Sequence, residues 1–378
     1  MKVDLSLSPL FTFDQSKQLP FHNWFYYKEG YSPKLIDYCL QLSQVKKPLN
    51  ILDPFCGVGT TLLRSKELGI NSIGIDSSPL AIFVSRVKCD DYSKEDIDYV
   101  HKFIQDLNIS DSNLRWEFEL FSSRAAFPKR NYNTILSLRE QIENIENQKA
   151  AQLLLLALLS ILPQCSIIKK DGGVLKIDKK KSAIPVKIAF KRKVNQILTD
   201  LENPISGPIP QINLGDARKL PLQSESVDFS ITSPPYLNNI DYSKVYGLEL
   251  SLLSLEKQTT ELTRSKSLRS FITHNPNVNE IPAEVGDIGK QIPVIGTYFY
   301  DMENVIKEVY RVLKPDGEFY LNVTNSVIHQ THILVDEVLA EIAERIGFST
   351  GILVGAKRIA DVKPRRVETR ESIVVMRK

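Results

Sequence analysis

Two short stretches of this 378-residue chain carry residue types that suit chemistry. The first, Asp53-Pro54-Phe55-Cys56-Gly57-Val58-Gly59-Thr60-Thr61, joins an acid, two glycines and two hydroxyls, and Asp76 follows one strand later. Glycines let backbone come close to a ligand, and an acid at the end of a second strand can accept from both hydroxyls of a ribose. On these features alone a nicotinamide dinucleotide and S-adenosylmethionine compete, and an ordinary strand–helix turn is the plain alternative. Leu62 stands where the third glycine of G-x-G-x-x-G belongs. A ligand with a positive centre therefore suits this acid-led loop better than a diphosphate.

The second stretch is Thr232-Ser233-Pro234-Pro235-Tyr236. Consecutive prolines have fixed φ and no N–H, so the loop presents carbonyl oxygens at a rigid position. With the Ser233 hydroxyl, those acceptors can receive the two hydrogens of an exocyclic amino group. The Tyr236 ring offers a face for a flat base, worth roughly 1–3 kcal/mol. A proline turn without function is the competing reading.

The elements that must hold these stretches follow from periodicity. Residues 49–53 and 71–76 read as short buried strands, each followed by a helix, at 60–68 and from Pro79. The rhythm resumes with strands at 211–214 and 227–231. An amphipathic helix at 297–314 is stopped by Pro315-Asp316-Gly317 and followed by a strand at 318–323. Two last strands, near 351–354 and 372–376, flank a basic loop with Lys363, Arg365 and Arg366. The pattern predicts an α/β fold with a doubly wound, mostly parallel, seven-stranded sheet. Residues 1–90 form its N-terminal, cofactor half and 210–378 its C-terminal, catalytic half. Residues 91–209 break the rhythm and read as an inserted, mainly helical, basic subdomain. A polar loop or lid is expected at about 255–295.

Composition is that of an ordinary globular protein, with 42% hydrophobic and 25% charged residues. Four scattered cysteines without a CxxC pair argue against a disulfide framework or zinc ribbon and for a reducing cytoplasm. The N-terminus lacks the apolar run of a signal peptide, and the most apolar stretch, 150–162, is followed by Pro163 and is too short for a membrane span. Ten basic residues fall between Lys169 and Lys193 against Asp171 and Asp178, leaving the rest of the chain net acidic. Localised positive charge is what phosphate attraction requires, and a solvated basic face is its bland counterpart. Lys179, Lys180, Lys181, Lys191, Arg192 and Lys193 are the candidate nucleic-acid contacts. His329 and His332 lack a third ligand, so no metal is expected.

Taken in order, DPFCGVGTT, GIDSSPLA, GDARKLP and VDFSITSPPY resemble the amino-methyltransferases of DNA, which act on N4 of cytosine or N6 of adenine. Residues 20–33 resemble the family's N-terminal cofactor-side segment, and YFYDMENVIKEVYRVLKPDGEFYLNV resembles the helix and strand after its catalytic loop. The resemblance covers about 1–90 and 210–378. It implies a Rossmann-like methyltransferase fold and S-adenosylmethionine as cofactor. Asp53, Phe55, Gly57, Gly59 and Thr60 would surround the methionine part, Asp76 would hold the ribose, and Asp216 with Ala217 would border the adenine. Ser233, Pro234, Pro235 and Tyr236 would form the catalytic loop, and serine before Pro-Pro-Tyr favours cytosine. The implied partners are DNA, with a flipped or single-stranded base, and a cognate restriction enzyme. The protein is expected to act as a monomer or weak dimer, without a membrane. An adenine-N6 enzyme, an RNA base methyltransferase and a non-catalytic S-adenosylmethionine-binding subunit are the alternatives.

Overall fold

Short apolar runs bounded by turn residues become strands, and the computed structural model describes them within residues 1–45, 49–171, 173–238, 240–256, 259–271, 280–362 and 365–378. The strands are β1 (Lys2–Val3), β2 (Asn50–Asp53), β3 (Asn71–Asp76), β4 (Ile168–Asp171), β5 (Val174–Ile177), β6 (Gln211–Leu214), β7 (Val227–Thr232), β8 (Leu313–Thr324), β9 (Ser326–Ile328), β10 (Thr331–Ile333), β11 (Ser349–Val362) and β12 (Arg365–Arg377). Eight of them form one sheet in the order β1-β11-β12-β8-β7-β2-β3-β6. Only the β11–β12 and β12–β8 pairs are antiparallel. The sheet is thus doubly wound and mostly parallel as predicted, but with eight strands rather than seven. The extra one, β1, is two residues on the edge of β11, too short to leave a periodic signal.

Alternation along the strands divides the core. Leu52 and Ile75 face a cluster built with helices Pro293–Val312 and Val335–Ile346. Their neighbours Ile51, Phe229 and Ile231 face the opposite side and pack with Leu35 and Ile36 of helix Pro33–Leu42. Residues 91–209 are mainly helical. Their helices Lys94–Gln105, Lys129–Glu143, Gln148–Cys165 and Val186–Leu201 share one continuous core with Leu62, Leu80 and Val84 of the cofactor side.

Several boundaries differ from expectation. Helix Gln148–Cys165 runs through Pro163, which lies close enough to its end that little of the hydrogen-bond ladder is lost. By length and composition it could cross a membrane; here Leu153, Leu154, Leu158 and Leu162 are buried among neighbouring helices. Pro315-Asp316-Gly317 lies inside β8, because the preceding helix already ends at Val312 and the register slips between Val227 and Phe229 of β7. The segment at 255–295 carries helices Thr259–Lys266 and Gly286–Gln291 rather than a loop, with Pro276 outside the described residues. The last two strands extend well beyond 351–354 and 372–376 as a two-stranded ribbon. Lys363 lies outside the described residues, and Arg366 belongs to β12.

Candidate active site

The order in which strands are added to the sheet reverses between the parallel neighbours β2 and β7, and open α/β sheets bind ligands outside the strand ends at such a switch point. A cavity of about 590 Å³ opens there, lined by Asp53, Asp76 and the 233–236 loop, with Tyr27 to Tyr31 as one wall. Its volume lies in the range of small-molecule sites.

Asp53, at the end of β2, is buried and accepts four hydrogen bonds. Thr61 and Thr232 hydroxyls donate at 2.6 Å each, and Tyr31 Oη and the Phe55 N–H at 3.2 Å. Burial still raises its carboxyl above the ordinary range against these donors. Asp76, at the end of β3, accepts from the Gly57 N–H at 2.9 Å and the Ser78 N–H at 2.8 Å. Burial pushes it up to about 6. Its donors are all backbone N–H groups, and its side chain lines the cavity. Gly57 sits at φ +50°, a conformation that favours glycine, and forms part of the floor.

The catalytic-loop candidates form a connected chain. Ser233 Oγ donates to Tyr236 Oη at 3.0 Å, and Tyr236 Oη donates to Glu371 Oε1 of β12 at 2.7 Å. Asn322 Nδ2 of β8 also donates to Tyr236 Oη, at 3.1 Å. Arg358 of β11 closes on the other oxygen of Glu371, with Nε at 2.8 Å and Nη2 at 2.7 Å. Burial lifts both the Tyr236 phenol and the Glu371 carboxyl above their ordinary values, with Arg358 opposing the shift at Glu371. Pro234 and Pro235 line the cavity beside them, as do Asn238, Asp241 and Tyr242. Asp241 is occupied structurally, capping helix Tyr242–Val245 and pairing with Arg264 at 2.7 Å. Asn239 lies outside the described residues.

The structure brings Asp53, Phe55, Gly57, Thr60, Asp76 and Ser233 to Tyr236 to one cavity. Gly59 is not on it. At φ +80° it starts helix Thr60–Glu67, and a Cβ there would stand 2.8 Å from Ser85 Cβ, so it allows two helices to approach. Asp216 and Ala217 border an adjoining small cleft that shares Phe55 and Ser77 with the main cavity. Burial alone would raise the Asp216 carboxyl, but hydrogen bonds from Arg218 hold it below its usual range. The basic residues divide. Lys179, Lys180 and Arg192 are exposed and Lys191 is half-buried. Lys181 Nζ donates to the carbonyls of Pro163 and Ile168 at 2.6 Å each, and Lys193 Nζ to that of Asn23 at 3.1 Å. Burial lowers Lys193 to about 8. These two ammonium groups tie the fold together.

Sequence reasoning missed Glu371, Arg358, Asn322 and Tyr31. The first three come from strands far from the loop they touch, and only sheet order brings them together. Cys56 and the other three cysteines are free and buried, and burial pushes the Cys56 thiol far up. His329 sits in the turn between β9 and β10 and His332 is exposed; among the described residues no cluster could hold a metal ion.

A doubly wound sheet with an acid ending each of two neighbouring strands, and an acceptor-rich loop after a third, defines a nucleoside-cofactor enzyme of the methyltransferase type. The DNA methylase family model matches residues 11–83 and 227–378, and the chain belongs to that family. It is an S-adenosylmethionine-dependent DNA methyltransferase. Among similar proteins, the Type II methyltransferase M.BsoBI of Geobacillus stearothermophilus is 28% identical over 413 residues, covering 90% of this chain and 81% of that protein. The Type II methyltransferase M.AvaI of a Nostoc species is 28% identical over 403 residues, covering 92% and 83%. An S-adenosylmethionine-dependent methyltransferase structure from Methanosarcina mazei is 12% identical with a TM-score of 0.32, covering 91% of this chain and 96% of that one.

Proposed function

We propose that this protein methylates the exocyclic N4 of cytosine in DNA, at a specific sequence. The observation that carries this reading is the Ser233 hydroxyl and the Pro234–Pro235 backbone on the same cavity as Asp76. Asp76 has carboxylate lone pairs free of side-chain donors, as a ribose diol needs, and the Asp216–Ala217 cleft adjoins through Phe55 and Ser77. The donor set therefore fits S-adenosylmethionine: Asp53, Phe55, Gly57 and Thr60 toward the methionine part, Asp76 at the ribose, Asp216 and Ala217 at the adenine. Bound there, the cofactor would supply an electrophilic sulfonium methyl for transfer to the amino nitrogen.

The chain's own contribution is to make that nitrogen nucleophilic. The cytosine amino lone pair is delocalised into the ring. Hydrogen bonds from its N–H groups to Ser233 Oγ and the Pro234 carbonyl localise it on nitrogen, and the Tyr236 ring supports the base. A base within a duplex cannot reach this loop, so the substrate is a flipped or single-stranded nucleotide. Lys179, Lys180 and Arg192, with Lys191 beside them, hold the phosphate backbone. The Type II designation of the two relatives supports a site-specific mark beside a cognate restriction enzyme.

Mass spectrometry of nucleosides from a methylation-free host expressing the protein, beside its Tyr236→Ala variant, tests this. N4-methylcytosine in DNA, lost in the variant, is the expected result. N6-methyladenine would overturn the base, and a mark in RNA alone would overturn the substrate.

A further inference from the structure

The bonds around Tyr236 run in one direction, and that direction has a chemical consequence. Arg358 donates a hydrogen bond from Nε to Glu371 Oε2 and forms an ion pair with the same oxygen through Nη2, which favours the ionised carboxylate. A carboxylate is an acceptor only, so Tyr236 must donate its phenolic proton to Glu371 Oε1. The phenol oxygen then takes the Ser233 proton. Ser233, with its own proton turned inward, presents lone pairs to the cavity. This polarity suits an incoming amino group, which is a pure donor.

We propose that Glu371 is a positioning residue for the catalytic loop and the end of a proton relay that runs from the substrate amino group through Ser233 and Tyr236. The inference rests on the amino-methyltransferase reading above and names how the proton leaves. As the nitrogen gains its methyl group it must lose one proton. Its N–H bond breaks and the electron pair stays on nitrogen, while a new O–H bond forms on Ser233. The original Ser233 O–H breaks as one forms on Tyr236, and the original Tyr236 O–H breaks as one forms on Glu371. The nitrogen ends neutral and Glu371 ends as a neutral carboxylic acid. Both hydroxyls finish as they began, each with one proton. The reverse shuttle to water in the vacated cavity resets the site.

The surroundings of Glu371 fit this task. Burial raises its carboxyl toward proton uptake, while Arg358 from β11, Tyr236 from the loop and Asn322 from β8 oppose that shift. Arg358 in turn reaches toward Ser8 Oγ at 3.5 Å. The relay needs the ionised form, so the methylation rate falls as pH drops through the Glu371 carboxyl's folded value.

The test uses the full chain in excess over DNA from a methylation-free host, with S-adenosylmethionine, in single-turnover form across pH. Cofactor affinity is measured by calorimetry on the same variants. Tyr236→Phe and Glu371→Gln each lower the rate by about 100-fold, a typical loss of general-base assistance, with cofactor affinity within threefold of the parent. Glu371→Gln also removes the acid limb of the pH profile, Glu371→Asp restores part of the rate and that limb, and the double variant is no slower than the worse single. A Tyr236→Phe or Glu371→Gln rate within threefold of the parent overturns the relay. So does a loss traced wholly to cofactor binding, or two losses that multiply in the double variant. If the parent protein marks no DNA at all, the underlying reading fails instead.

Discussion

Lowering the pH should loosen the cofactor through a single carboxylate. Asp76 is held at about 6 in the folded chain against a reference of 3.8, chiefly by burial. A shift of that size corresponds to about 3 kcal/mol between its two protonation states. A ribose diol needs the ionised form, so binding and deprotonation are linked. Between pH 7 and 5 the S-adenosylmethionine dissociation constant should rise about tenfold, approaching a tenfold change per unit at the acid end. The cofactor's own α-amino group stays protonated throughout that window. Asp76→Asn should flatten the dependence. It should also weaken binding at pH 7 by roughly 1.5–3 kcal/mol, the worth of a hydrogen bond to a charged group. Titration calorimetry at five pH values on both proteins reads this directly. A parent affinity unchanged within twofold, or an Asp76→Asn variant that keeps the parent slope, would refute the assignment. Stability moves the other way. The raised value means that Asp76 contributes stability fully present below 3.8 and lost as pH rises through about 6.

Gly59→Ala places a methyl 2.8 Å from Ser85 Cβ at φ +80°, so denaturant unfolding should show a loss of about 2–4 kcal/mol from overpacking and left-handed strain; a loss under about 0.5 kcal/mol would contradict the packing role. Replacing Lys179, Lys180 and Arg192 with glutamine should flatten the slope of log DNA affinity against log salt by about 0.9 per phosphate contact removed, and an unaltered slope returns them to a merely solvated face. Asp200 Oδ2 accepts from the Trp24 indole N–H at 2.8 Å and the Phe21 N–H at 3.2 Å. Asp200→Ala should therefore cost about 2–4 kcal/mol, shift tryptophan emission to the red, and weaken cofactor binding, because Tyr27 to Tyr31 lose their anchor upstream. Unchanged emission and affinity would detach that segment from the site.

The cofactor half was largely legible in the sequence, because its chemistry is local. Strands β3 and β6 span the predicted residues, and β2 lies within one residue of expectation, since each is an apolar run closed by an acid or a glycine. Asp53 and Asp76 end their strands, so finding the strand finds the residue. Glu371, Arg358 and Asn322 were out of reach for the opposite reason. They reach Tyr236 through the β11–β12–β8 order, which no local pattern encodes. Gly59 packs against Ser85 at φ +80°, and a glycine wanted for helix packing and one wanted for a ligand look alike in sequence. A charge count likewise cannot tell an exposed lysine from one whose ammonium donates to carbonyls, as Lys181 and Lys193 do.

The sheet order also sets a schedule for activity. Strand β12 lies between β8 and β11, so the ribbon cannot join the sheet until the latest strand in this sequence is available. The residues around the cofactor, from Tyr27 to Ala81, leave the ribosome long before Glu371 does. A growing chain can thus assemble the cofactor-side cleft while the Ser233–Tyr236 loop still lacks the carboxylate that Tyr236 Oη donates to. Completion of the site waits on β12, and a chain that stops before it would keep the Ser233–Tyr236 loop without Glu371.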